Sequence, residues 1–115
     1  MIEGLWTIEF VSNSSFEFNQ GLGIVVFETG RVLGGDSSMT YIGDYEIING
    51  KIKSEVVVQS FDGYESESVF GDAGLFLLKM EGAVSKDTFE LAGYREDHPY
   101  LKIIVRFTKR ANLPG

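Results

Sequence analysis

Apolar and polar residues alternate with a period of two along nearly the whole chain. Successive side chains of a β-strand point to opposite faces, so this alternation predicts strands with one covered face. Trp6, Ile8 and Phe10 share one face of a first strand, with Thr7 and Glu9 on the other, until Asn13-Ser14-Ser15 breaks it. Leu22 to Glu28 is apolar on both faces and predicts a strand covered on two sides. Thr29-Gly30 then turns the chain into a short third strand, Arg31 to Leu33, ending at Gly34-Gly35-Asp36. A fourth strand, Met39 to Ile48, sets Tyr41, Gly43, Tyr45 and Ile47 on one face. Asn49-Gly50 follows, a pair that tolerates the positive φ angles of a two-residue hairpin. The fifth strand answers with Ile52, Ser54, Val56 and Val58 against Lys51, Lys53, Glu55 and Gln59.

A polar segment, Asp62 to Gly74, separates this hairpin from a sixth strand, Leu75 to Val84, whose inward face carries Phe76, Leu78 and Met80. Ser85-Lys86-Asp87 leads into a seventh, Thr88 to Tyr94, with Phe89 and Leu91 inward. Arg95 to Pro99 is the last turn, and an eighth strand aligns Leu101, Ile103, Val105 and Phe107, before a tail from Ala111 to Gly115 expected to fray. Short links make sequence neighbours spatial neighbours, which predicts an antiparallel meander. Closing it removes two exposed edges. The pattern therefore predicts one all-β domain over residues 1–115, an antiparallel eight-stranded up-and-down β-barrel. Gly43, Gly82 and Gly93 at interior-facing positions suit the strong bending such a barrel needs. An eight-stranded interior either fills with side chains or holds one small ligand. Trp6, Phe10, Tyr41, Tyr45, Phe76 and Phe107 are the residues expected to line it.

Charge narrows the partners. With 17 acidic and 10 basic residues the net charge is −7, which disfavours binding a phosphate backbone and suits a basic protein surface. Cysteine is absent, so disulfide and thiol chemistry are excluded. The N-terminal residues show no basic-then-apolar leader pattern, and apolar runs such as Leu22 to Phe27 fall far short of the ~20 residues of a membrane helix. A cytoplasmic location away from membranes is expected.

Few residues point to chemistry. The single histidine, His98, stands beside Glu96 and Asp97 before Pro99, with no second His or Cys to complete a zinc site. The acids Asp62, Glu65, Glu67 and Asp72 lack the ligand spacing and central glycine of a calcium loop. Gly21-Leu22-Gly23 lacks the third glycine and following helix of a nucleotide loop. Gly34-Gly35-Asp36 reads as a structural turn, with positive φ at one or both glycines and Asp36 or Ser37 bonding nearby backbone. No catalytic residue, metal or cofactor is expected. Ile42, Val57, Leu75, Leu77 and Ile104 are apolar on the outward face. A contiguous apolar patch marks an interface. Val57, Leu75, Leu77 and Ile104 are thus expected to form a homodimer contact.

The assembled pattern resembles the GrlR-like family of small bacterial proteins, named for a negative regulator of type III secretion genes. The matching stretches are Gly4 to Phe10, Gly23 to Phe27, Gly30 to Ser38, Tyr41 to Tyr45, Ser68 to Gly71, Phe89 to Gly93 and Thr108 to Pro114. The run Gly30-Arg31-Val32-Leu33-Gly34-Gly35-Asp36 is the most specific of them. The resemblance implies a lipocalin-like barrel that is usually dimeric, has a hydrophobic interior and is not an enzyme. It also implies sequestration of a transcription activator through protein contact. The family's named member has an acidic run between its fourth and fifth strands, where this chain has Ile47-Ile48-Asn49-Gly50. Its partner-binding residues therefore have no counterpart here. The alternative expectation is a carrier or sensor of a small hydrophobic ligand held in the barrel.

Overall fold

The computed structural model describes the backbone of residues 2–12, 21–60 and 75–114, and their side chains except at 10–12 and 21. All eight strands form: β1 (Gly4–Ser12), β2 (Gly21–Glu28), β3 (Arg31–Gly35), β4 (Met39–Ile48), β5 (Lys51–Ser60), β6 (Leu75–Ala83), β7 (Thr88–Arg95) and β8 (His98–Ala111). Each pairs antiparallel with the next, and β1 pairs with β8 to close the barrel. Asn13 to Ser15, the segment Asp62 to Gly74 and the matched stretch Ser68 to Gly71 lie outside the described residues.

The β4–β5 hairpin follows directly from its turn chemistry. Asn49 and Gly50 adopt φ of 54° and 76°, the left-handed pair of a type I′ turn. Pairing then runs without interruption from Ile48 opposite Lys51 to Met39 opposite Ser60. Ile52, Ser54, Val56, Val58 and Ser60 are buried while every alternate residue of β5 is exposed. Ser54 offsets the cost of its buried hydroxyl by donating to the Asp44 carbonyl at 2.7 Å.

Gly34 and Gly35 correct an expectation. Neither has positive φ; both belong to β3. Gly34 is required by close approach instead: a Cβ there would stand 2.0 Å from the Ile24 carbonyl oxygen and 2.8 Å from the Val25 Cα. The turn itself is built by Asp36, whose Oδ1 accepts from the Ser38 and Met39 amides at 2.9 and 2.8 Å.

Other boundaries shift for equally local reasons. β2 is covered on one side only, with Leu22 and Ile24 61% and 51% exposed; an apolar run does not distinguish a covered face from a sticky one. Ile47 was expected inward, yet it is exposed near the Asn49-Gly50 turn, where β4 has few neighbours left to bury it. The last turn contracts to Glu96-Asp97, because Arg95 pairs with His98. Ala111 is not frayed but pairs with Leu5 on β1.

Candidate protein-contact face

Two places could carry function, the barrel interior and its outer wall. The inside is packed with rings. Trp6 meets Phe27 and Phe89 edge-on at 6.1 and 5.0 Å, Phe89 stacks on Phe107 at 4.9 Å, and Phe27 meets Tyr45 at 5.1 Å. Of the six expected lining residues, Trp6, Tyr45 and Phe107 thus belong to one aromatic cluster. Tyr41 and Phe76 lie in a separate cross-strand row, Tyr41–Val58–Phe76. The side chain of Phe10 lies outside the described residues.

Between them the described residues leave a cavity of about 30 Å³, walled by apolar side chains including Ile8, Val25 and Leu91. A pocket for an organic ligand occupies roughly 300 Å³ or more. This interior has room for a water-sized guest.

Two of the large polar side chains inside, Tyr41 and Arg95, are tied down, whereas the buried Ser60 Oγ has no hydrogen-bond partner among the described residues. Tyr41 donates its hydroxyl to Asp36 Oδ2. Burial, then the bond to Asp36 and its charge, push the Tyr41 phenol well above its ordinary range. Arg95 is buried, paired with Asp97 and stacked 4.3 Å from the Phe76 ring centroid. Among the described residues no three His, Asp or Glu side chains converge as metal ligands. His98 is exposed and approaches the Tyr100 hydroxyl at 3.3 Å.

The outer wall holds the more telling arrangement. Register places Leu5 opposite Val26, Val26 opposite Leu33, Leu33 opposite Ile42, Ile42 opposite Val57, and Val57 opposite Leu77. Directly opposite side chains on one face are ~5 Å apart. The result is an unbroken apolar stripe across β1–β6. Its centre is open to solvent, with Leu33, Ile42 and Val57 44%, 58% and 39% exposed.

A charged row runs beside the stripe: Glu28, Arg31, Asp44, Glu55 and Lys79, each opposite the next, continuing to Tyr94 and Lys102. From Asp44 to Lys102 this row lines an open outer concavity of about 780 Å³. On its other side the stripe is bordered by Ile24, Gly35, Thr40, Gln59 and Leu75.

Of the four residues expected at a dimer contact, Val57 and Leu77 are direct neighbours in the stripe, and Leu75 lies one row away. Ile104 does not join them. It pairs with Val11 and Ala92, and Ala92 stands opposite Glu81, two outward positions along β6 from Leu77. The expected patch is therefore not contiguous. Leu33 and Ile42 take the place of Ile104, and Leu33 was missed because its part in the stripe depends on β2–β3–β4 register.

No family model matches this chain, and no curated protein matches it.

Proposed function

We propose that this barrel works by binding other protein surfaces with its outer wall. The observation that supports this best is the exposed stripe Leu33–Ile42–Val57, apolar where a solvated strand face would be polar. Binding of this kind matches the regulatory role implied by the GrlR-like resemblance, in which a barrel sequesters a transcription activator, here proposed to be a basic one. The net charge of −7 suits such a partner. No step of this reading needs catalysis, a metal or a cofactor.

Charges on the outer wall support a reading in which it does not face lipid. Arg31, Asp44 and Glu55 stand exposed in one cross-strand row, and charge on the lipid face of a barrel is strongly destabilising at mid-depth. Among the described residues no helix is long and apolar enough to cross a membrane. A cytoplasmic location remains the proposal that fits this surface.

The competing reading, a carrier of a small hydrophobic ligand, would rely on an interior in which the described residues leave a cavity of about 30 Å³. Native mass spectrometry of protein purified from its own cells separates the two. A protein partner whose purified form binds wild type, and binds Ile42→Glu more weakly, supports the proposal. A bound small apolar molecule with no protein partner would establish the carrier instead.

A further inference from the structure

We infer that Asn49 is a self-modification site, where the Gly50 backbone nitrogen displaces ammonia from the Asn49 side chain and leaves an aspartyl or isoaspartyl link in the β4–β5 turn. The inference is independent of the protein-binding role.

The requirements of that chemistry meet at this turn. A side-chain amide of asparagine is a heat-labile group, and the nitrogen that attacks its Cγ belongs to the following residue. Here that residue is Gly50, which has no Cβ to shield its nitrogen. The space around it is open as well, since nothing stands within 4 Å of where a Cβ would be. Both residues are exposed. The bond that ties the turn to the next strand uses a different atom: the Gly50 carbonyl accepts from the Val84 amide at 3.0 Å.

The reaction balances with water alone. Hydroxide takes the Gly50 amide proton, the nitrogen bonds to Asn49 Cγ, and the Cγ–Nδ2 bond breaks. Ammonia leaves with a proton from solvent, and a five-membered succinimide remains. Water then adds to one of its two carbonyls. Opening at Cγ gives Asp at position 49, with the main chain restored. Opening at the former main-chain carbonyl gives isoaspartate, with the chain running through Cβ and Cγ. One water enters, one ammonia leaves, and nothing is oxidised or reduced.

Folding sets the pace. Asn49 and Gly50 hold φ of 54° and 76°, and a type I′ turn fixes the first ψ near ~+30°, which points the Gly50 nitrogen away from the Asn49 side chain. Ring closure therefore waits for the tip to open. Ile47, Ile48 and Lys51 are exposed, and Ile52 is the first buried residue beyond the turn on β5. A tip with so few buried contacts opens at less cost than the whole barrel. The two products then differ. Asp-Gly suits the same turn as Asn-Gly. Isoaspartate adds a backbone carbon, so the two-residue loop that pairs Ile48 with Lys51 no longer closes, and the Gly50 carbonyl is drawn away from Val84.

The test follows the full folded chain in mildly alkaline buffer by peptide mapping, with isoaspartyl methyltransferase and a labelled methyl donor as the probe for isoaspartate. Asn49 should convert severalfold faster than Asn112, whose following residue is Leu113 and not glycine. Asn49→Gly keeps a turn-forming Gly-Gly pair and should stay folded without taking label at this turn. Hydrogen exchange should show the Val84 amide losing protection in the isoaspartyl fraction only. The rate should stay nearly flat in urea well below the unfolding midpoint, because a local opening exposes little surface. An Asn49 that stays intact over the period overturns the inference, as does conversion no faster than that of Asn112. A rate that climbs in step with the unfolded fraction also overturns it, since the chemistry would then belong to the unfolded chain.

Discussion

Arg95 and Asp97 close the β7–β8 turn with a two-pronged ion pair in which only one member meets solvent. Nε and Nη2 of Arg95 donate to the two carboxylate oxygens at 2.9 and 2.7 Å, with the arginine side chain 3% exposed and the aspartate 52%. The guanidinium has left water for the face of Phe76 and depends on Asp97 for its compensating charge. Asp97→Ala should therefore destabilise by about 1–3 kcal/mol, below the cost of breaking a fully buried pair because one partner is solvated. Hydrogen bonds from Arg95, with its charge, hold the Asp97 carboxyl below its usual range. A depressed folded value gives stability present above the unfolded value of about 3.9 and lost as pH falls through the folded one. Acid titration of the melting temperature checks this, and Asp97→Asn should remove that part of the slope.

Tyr41 answers to the opposite end of the pH scale. Its phenol is raised in the folded barrel by burial and by Asp36, so it stays protonated where an unfolded tyrosine ionises near pH 10. Its contribution is complete below about pH 10 and is lost as pH climbs beyond it. Tyr41→Phe should flatten the alkaline limb of the stability profile. Asp36→Ala, which also strips the Ser38 and Met39 amides of their acceptor, should cost about 1–3 kcal/mol at neutral pH in urea denaturation.

Two glycines should separate by mechanism. Gly34→Ala drives a methyl into the β2 backbone, 2.0 Å from the Ile24 carbonyl oxygen, and should cost roughly 1–3 kcal/mol or more. Gly50→Ala meets nothing within 4 Å but must hold φ near 76°, for about 1 kcal/mol. Denaturation midpoints that rank Gly50→Ala as the worse of the two would overturn this account.

Trp6 reports on the N-terminal residues. Its ring is fully buried and its Nε1 donates to the Ile2 carbonyl at 2.8 Å. Wild-type emission should be blue and resistant to acrylamide quenching. Deleting residues 1–3 leaves the indole N–H without that acceptor, takes the buried Ile2 side chain from the core and removes the Glu3 acceptor of the Thr29 amide, and should destabilise by roughly 3 kcal/mol or more, seen as an earlier red shift in denaturant.

Much of this architecture was legible because it rests on period-two alternation and turn chemistry, both local. Met39 to Ile48 and the Asn49-Gly50 turn are read directly from residue types. What depended on neighbours was not. Ile24, in an apolar run, faces solvent, and Gly34 looks like a turn residue until the β2 backbone is laid beside it. Ile42, Val57 and Leu77 read as outward apolar residues from sequence, but the continuity of the stripe through Leu33 and Val26 did not, for the same reason. Val57 and Ile104 look alike in a linear pattern, and only pairing shows that one has Ile42 beside it and the other Ala92. The small volume that the described residues leave inside the barrel is likewise something no spacing of aromatic residues measures.

Closure of β1 on β8 has a further consequence. Among the described residues every strand has a neighbour on both sides, so no whole edge strand is offered for a visiting peptide to extend. Recognition is thereby handed from backbone to side chains, and specificity becomes a matter of which few outward residues stand shoulder to shoulder. Such a surface can be rewritten one position at a time without disturbing the hoop beneath it.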